Sequence, residues 1–420
     1  MKIGFLIIGS EVLDGKITDL NTKILADFLR HQHLEINQAL TIRDHKDAIE
    51  KSLQSLFDNN DLIITSGGLG PTKDDLTKES VGHYLGRKLI LSPEAIEVSK
   101  ENYQRFGRIF PGQDHGYAYL PEGFYPLSNA TGFAPGFYTK HQDKFLFSAP
   151  GVPREFKSML TDHLMKIIAE KIDNRVLLKH IIVRTKNIPE EKIFQEVDTS
   201  LWEKLEKFGE VSSLPFLMGV DIGVKIHAKT HEELASKETE IDSIFKSSPL
   251  SKNVWNYGPE SIEEKIVALS NQKKIKFGFA ESATGGLCSH RITSTSGSGN
   301  SYMGSIVSYD EIIKINLLGV KEKTIKEFSD VSPQTAQEMA EGLLNKLNLD
   351  IAISITGWAG PTGGSDKFPI GSVCIGRAIK NQKTTSEIFH LTGDRETLKL
   401  RFSQVALYAL LYEVEHFAQE

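Results

Sequence analysis

Two stretches of this chain place reactive residue types where an apolar run gives way to a glycine-rich turn. The first is Ile64-Thr-Ser-Gly-Gly-Leu-Gly-Pro-Thr-Lys-Asp-Asp-Leu-Thr-Lys-Glu79. Ser66, Gly67, Gly68 and Gly70 offer backbone N–H groups that can approach an anion, and a helix start after Pro71 adds partial positive charge. Asp74 and Asp75 beside such a loop suit a hard divalent cation bridging the same anion. This predicts a phosphate or pyrophosphate site with a divalent metal. The alternative is a Gly-Pro turn whose acids merely favour a helix N-terminus. The spacing is neither a P-loop nor G-x-G-x-x-G.

The second stretch is Ala280-Glu-Ser-Ala-Thr-Gly-Gly-Leu287. Ser282 stands just past a strand, with Thr284, Gly285 and Gly286 opening a helix, as an activated nucleophile requires. Either hydroxyl could instead be a simple helix cap. Downstream lie Tyr309 and Lys314, a lysine able to act as base for a serine if burial favours its neutral form. Thr356-Gly-Trp-Ala-Gly-Pro-Thr-Gly-Gly-Ser365 suggests an anion cradle or oxyanion site, near Gly357 or near Gly285. Arg395 could clamp a phosphate through two parallel hydrogen bonds. His290 and His390 lie near these loops in sequence, but neither makes a convincing triad. A serine–lysine hydrolase acting on a phosphate-bearing small molecule is the chemistry these parts allow.

Positioning these groups takes strands that end together. Short apolar runs alternate with amphipathic helices at Lys2–Ile8, Asn21–Arg30, Leu34–Ile42, Lys46–Phe57 and Leu62–Thr65, and Lys144–Phe147 feeds a further turn. Such alternation predicts a doubly wound parallel α/β sheet with ligands at the carboxyl ends of its strands. Gly9–Glu11, Ser66–Asp75 and Pro150–Glu155 would then converge. A middle block reads strand, helix, two strands, helix from Val176 to Phe245 and predicts a small α+β (KH-like) spacer or dimerisation module. Asn253–Glu263 reads as a linker. A third region follows, with a helix at Ser261–Asn271, strands at Ile275–Ala280, Gly304–Tyr309, Asp350–Ile355 and Ile370–Arg377, and a core-packing helix at Arg395–Phe417. The expected domains are 1–172, 173–252 and 258–418.

At 420 residues, 40% hydrophobic, 25% charged and a net charge of -6, the composition is that of an ordinary globular chain without a global basic field. Nucleic acid is therefore a disfavoured partner. Cys288 and Cys374 are the two cysteines and make neither a disulfide framework nor a four-ligand zinc site. The apolar run after Met1 is too short to span a membrane and reads as strand-to-loop. A cytoplasmic protein is expected.

Taken together, these segments resemble the CinA family of competence/damage-inducible proteins over essentially the full chain. The N-terminal third is similar to the MoaB/MogA molybdopterin-binding fold through Gly9-Ser-Glu11, Asp19-Leu-Asn21, Thr65-Ser-Gly-Gly-Leu-Gly-Pro-Thr with Asp74-Asp75, and Pro150-Gly-Val-Pro-Arg-Glu155. The resemblance implies Asp44 as a partner of Asp75, with Glu11, Asn21, Pro150 and Gly151 at the ligand. It further implies metal-dependent hydrolysis of ADP-ribose. The C-terminal part resembles the PncC-type nicotinamide mononucleotide amidases through Ala280-Glu-Ser, Thr284-Gly-Gly286, Tyr309 with Lys314, Thr356-Gly-Trp-Ala-Gly-Pro361 and Gly393-Asp-Arg395. That likeness implies Ser282 as nucleophile, Lys314 as its base, Tyr309 assisting, and Thr356 and Arg395 binding substrate, with no cofactor. It also suggests a homodimer. Two positions depart from the pattern. Ala283 replaces a usual cysteine, and Asp310-Glu311 replaces Ser-Asn, bringing two carboxylates near Lys314 that oppose its use as a base unless they face solvent. The reading is a two-site hydrolase of pyridine-nucleotide salvage. The alternative is a nucleotide-binding regulator with degenerate sites, linked to competence or DNA damage. Molybdopterin adenylation is disfavoured, because it leaves the C-terminal constellation without a role.

Overall fold

The computed structural model describes residues 1–169 and 177–418. Val176 and the boundary expected between residues 172 and 173 lie outside them. The chain forms two compact units, Met1–His180 with Ile226–Lys237, and Ile181–Lys225 with Glu238–Glu420.

The first unit is built on a six-stranded sheet. Its strands are β1 (Ile3–Ile8), β2 (Ile36–Ile42), β3 (Leu62–Ser66), β6 (Tyr125–Leu127), β7 (Gly136–His141) and β8 (Lys144–Ala149), and a separate pair, β4 (Leu89–Leu91) with β5 (Tyr119–Pro121), lies apart from it. The order is β2-β1-β3-β8-β7-β6. The first four strands run parallel, as alternation with helices predicts. The last two run antiparallel, because Gln142-Asp143 is all that separates β7 from β8, and a parallel crossover takes a dozen residues or more. Residues of β1 alternate between two cores, Ile3, Phe5 and Ile7 on one face and Leu6 and Ile8 on the other. Burial on both faces accounts for the unbroken apolar run.

A four-stranded sheet follows, with β9 (Leu177–Thr185), β10 (Gly209–Phe216), β11 (Gly219–Ala228) and β12 (Val254–Tyr257) in the order β10-β11-β9-β12. The stretch read as a linker thus contains a strand: Val254–Tyr257 pairs antiparallel with β9. Trp255 is buried in the core of the C-terminal region, which a solvated linker would not provide. The helix expected over Pro189–Thr199 is shorter, Glu190–Lys192 continued by a wider turn at Ile193–Val197.

The C-terminal sheet comprises β13 (Phe277–Glu281), β14 (Tyr302–Val307), β15 (Ile351–Gly357), β16 (Ser372–Ile379) and β17 (Thr385–His390), in the order β14-β13-β15-β16-β17. β13 is an interior strand, fully buried and parallel to both neighbours, while β16 and β17 are antiparallel additions. Parallel strands on either side of β13 bring Ser282, Tyr309 and Thr356 to one edge of the sheet. The helix Arg395–His416 covers a face of it, and Leu398, Phe402, Val405, Leu407, Leu410, Leu411 and Val414 all enter the core. No helix among the described residues is long and apolar enough to cross a membrane.

Candidate active sites

At the carboxyl ends of β1, β3 and β8 a cleft of about 550 Å³ opens. Glu11, Asp44, Gly67, Gly68, Gly70, Asp74, Asp75, Pro150 and Gly151 line it, as the sequence predicts. Asn21 and Ser66 stand behind the wall: Asn21 Nδ2 donates to Ser66 Oγ at 2.7 Å and to the Gly151 carbonyl at 2.8 Å, stapling two loops together. Neither residue is part of the cleft lining, and the bonds they make hold the Pro150-Gly151 turn to the end of β3.

The glycine loop also differs from a free anion cradle. The Gly67 N–H donates to the Ala149 carbonyl and the Gly70 N–H to Asp75 Oδ1 at 2.7 Å. Asp75 Oδ2 accepts the Thr72 N–H at 3.0 Å and the Thr72 hydroxyl. Asp75 is itself the anion around which this turn closes. Gly67 is required on different grounds: it sits at φ 106, and a Cβ there would overlap the Ile8 carbonyl oxygen. Asp44 accepts the Ser10 N–H at 2.7 Å, and Asp74 lies exposed, its carboxyl held below the usual carboxylate range by the Thr72 side chain. No three His, Cys, Asp or Glu side chains among the described residues are grouped to hold a metal. The aspartates expected to hold metal line one cleft, Asp75 with both oxygens and Asp44 with one turned to backbone amides.

Sequence reasoning missed several residues here. Tyr117 lines the cleft and is buried, with its hydroxyl in the field of both Asp75 and Glu155. Lys78 is buried on the helix Thr77–Tyr84; its Nζ donates to the Gly116 carbonyl at 2.5 Å, and burial pulls the ammonium down to about 8 against the pull of Asp75. Its polar neighbours in sequence gave it the look of a surface lysine.

In the C-terminal region a smaller pocket of about 200 Å³ is lined by Ser282, Ala283, Tyr309, Asp330, Gly357, Trp358 and Arg395, among others. Ser282 is buried and fixed by its backbone, whose N–H donates to the Ile355 carbonyl at 2.9 Å. Arg395 begins the last helix; Nη1 donates to the Gly360 carbonyl at 2.5 Å and Nη2 to the Tyr309 hydroxyl at 3.2 Å. The guanidinium thereby holds the tyrosine over the pocket. Lys314 is fully buried behind the wall, its Nζ 3.2 Å from Asp330 Oδ2.

Four residues expected to bind substrate, Thr284, Gly285, Gly286 and Thr356, are not part of the pocket lining. Thr284 is fully buried and donates to Glu281 Oε2 at 2.8 Å, and the Gly286 N–H donates to the same oxygen at 2.9 Å. Gly285 is exposed, away from the pocket wall. Glu281, fully buried, also accepts the N–H groups of Cys288 and Ser289, so the turn that resembles an oxyanion site already encloses an anion of its own. Thr356 is buried too, donating to the Asp330 carbonyl at 2.9 Å and so positioning that residue. Gly357, the other expected oxyanion position, does line the pocket. The two carboxylates feared near Lys314 are turned away: Asp310 Oδ1 accepts the Ile312 N–H as a helix cap, and Glu311 is exposed. The carboxylate that meets the lysine is Asp330, which no sequence signal separates from an ordinary loop acid before a helix.

Residues 259–414 match the family model described as "CinA C-terminal domain", and residues 4–170 match "Probable molybdopterin binding domain". A relative in Caldicellulosiruptor saccharolyticus, named for competence-damage inducibility, is 33% identical over 98% of either chain. The chain belongs to the CinA family. A CinA-like protein of Dictyoglomus thermophilum is 32% identical over 95% of this chain and 96% of its own. A solved CinA-superfamily structure from Klebsiella pneumoniae aligns with 37% of this chain and 97% of its own, at 29% identity and a TM-score of 0.36. The CinA-type C-terminal domain carries the Ser282 pocket, and the MoaB/MogA-like domain carries the acidic cleft.

Proposed function

We propose that this CinA-family chain is a two-site nucleotide hydrolase, with an amidase centre at Ser282 and a pyrophosphatase centre in the N-terminal cleft. The observation that supports it most is the meeting of Ser282, Tyr309 and Arg395 on one small pocket backed by the buried Lys314–Asp330 pair. In this reading Ser282 Oγ attacks the carboxamide carbon of nicotinamide mononucleotide as Lys314 takes its proton. The tetrahedral intermediate expels ammonia, which carries that proton away, and water then hydrolyses the acyl-serine to nicotinate mononucleotide. Arg395 would meet the phosphate, and Tyr309 would orient the attacking hydroxyl.

The N-terminal cleft would cleave ADP-ribose. Its wall bears Glu11, Asp44, Asp74, Asp75 and Glu155 and, among the described residues, no basic side chain. A bare pyrophosphate would be repelled there. A divalent cation arriving with the pyrophosphate would balance that wall, with Asp74 offering an exposed carboxylate, in the manner of ions that keep one or two protein ligands and bind the substrate phosphates. The small middle block is proposed as a dimerisation module, making the protein a homodimer.

The deciding experiment is a product assay with Ser282→Ala. Ammonia release from nicotinamide mononucleotide should vanish while AMP release from ADP-ribose persists. Loss of both activities, or of neither, would overturn the two-site scheme. A regulatory, non-catalytic reading is favoured by one feature, the filling of both glycine turns by Asp75 and Glu281. Wild-type protein that binds either nucleotide and turns over neither would establish it.

A further inference from the structure

Among the carboxyls on the N-terminal cleft, Glu155 is held differently. It stands in the first turn of the helix Pro153–Met159, directly after the Pro150-Gly151 turn. Oε2 accepts Asn129 Nδ2 at 2.6 Å, and Asn129 is itself fully buried and immobilised. Its N–H donates to Asn102 Oδ1 at 3.0 Å, its Nδ2 also donates to the Ala134 carbonyl, and its Oδ1 accepts the Thr131 N–H. Gly132 packs against the carboxyl so closely that any Cβ there would overlap it. Glu155 is thus fixed on one side by a rigid amide and on another by a glycine. Oε1 has no hydrogen-bond partner among the described residues. Asp75 has both oxygens on the Gly70 and Thr72 N–H groups, Asp44 is tied to the backbone N–H of Ser10, and Asp74 is exposed. A carboxylate held rigidly with one oxygen left over is how a general base is built.

We propose that Glu155 is the proton acceptor for water in the N-terminal cleft, a catalytic residue of the pyrophosphate hydrolysis on which this inference rests. The water oxygen attacks one phosphorus and a new P–O bond forms. The bond from that phosphorus to the bridging oxygen breaks, and its electron pair leaves on the second phosphate. The water proton passes to Glu155 Oε1 and is lost to solvent as products depart. Water is the sole co-reactant. Tyr117 lines the same cleft and lies in the field of both Asp75 and Glu155.

The charge balance around Glu155 makes the idea testable by pH. Burial pushes its carboxyl above the usual carboxylate range, while the Asn129 hydrogen bond and the Arg154 charge on its own helix oppose that rise. The basic form therefore grows in as pH rises through the raised value, producing an acid limb in the rate profile.

The test uses the full chain, ADP-ribose and Mg²⁺, measuring AMP release across pH and nucleotide affinity by calorimetry. Glu155→Gln keeps an acceptor for Asn129 and should lower kcat by about 10²- to 10⁴-fold, leave Kd within about threefold and remove the acid limb. Arg154→Gln, a surface change, should move that limb to higher pH at unchanged maximal rate. Unimpaired turnover in Glu155→Gln, or an acid limb unmoved in Arg154→Gln, overturns the role of Glu155 alone. Wild-type protein that releases no AMP overturns the pyrophosphatase reading, and this inference with it, before any variant is made.

Discussion

Both halves of the molecule close a glycine-rich turn around a carboxylate of their own, Asp75 in the N-terminal cleft and Glu281 beside Ser282. They differ in what remains after that closure. Around Glu281 the donors are consumed, yet a buried serine and an arginine-held tyrosine still meet on about 200 Å³, with the buried Lys314 behind the wall on Asp330. Around Asp75 a wider cleft of about 550 Å³ remains, rich in carboxylates and without a grouped metal site among the described residues. In the proposed reading the C-terminal pocket has its chemistry assembled in the chain, whereas the N-terminal cleft takes charge brought by its ligand. A glycine-rich turn is evidence for an anion, and the anion can belong to the protein.

The contrast can be broken most forcefully at Lys314. Lys314→Met keeps the side-chain volume, and ammonia release from nicotinamide mononucleotide is expected to fall about 10³-fold, as loss of a general base does. Cleavage of ADP-ribose should stay unchanged in the same preparation. Next in size is the ion pair itself. Asp330→Ala leaves the fully buried Lys314 side chain without its partner and should cost about 3 kcal/mol in urea unfolding, whereas Asp74→Ala at an exposed carboxylate should cost under about 0.5 kcal/mol. Equal losses would mean the two regions are not built differently.

The glycines sharpen the comparison further. Gly67→Ala meets both a positive φ of 106 and the Ile8 carbonyl, and should destabilise by about 3 kcal/mol. Gly285→Ala has only the strain of φ 61, with Lys399 Nζ 3.9 Å away as its nearest neighbour, and should cost about 1 kcal/mol. A pH-linked effect concerns Lys78, whose folded value of about 8 lies below the ordinary 10.5. Between these values the unfolded chain binds the proton that the folded chain has released. Stability therefore gains with pH across about 8 to 10.5, by at most ~1.4 kcal/mol per pH unit, and Lys78→Met should remove that gain relative to wild type.

The elements were legible wherever periodicity was strong. The helix Asn21–Arg30 has the bounds its pattern predicts, and the terminal helix buries the stripe read from its spacing. β12 was hidden because Gly258-Pro259 reads as loop, although Trp255 just before it is core. The antiparallel strands β7 and β17 escaped a parallel-sheet reading, since tight turns rather than helices join them to their neighbours. Ser282, Tyr309, Arg395 and Gly357 were read from sequence and meet on one pocket. Asp330 was not, because its role comes from Lys314 reaching it across sixteen residues of chain. Thr284 and Gly286 are turned to Glu281 for a related reason: motif spacing locates donors and is blind to which acceptor reaches them first.

The central claim is that one pocket carries its own chemistry while the other depends on charge carried by the ligand. Its most direct measurement follows ammonia from nicotinamide mononucleotide and AMP from ADP-ribose, side by side, in full-length protein with Mg²⁺ and after chelation. The account predicts ammonia release indifferent to chelation and AMP release abolished by it. Ammonia release that also collapses on chelation, or AMP release that persists, would contradict it.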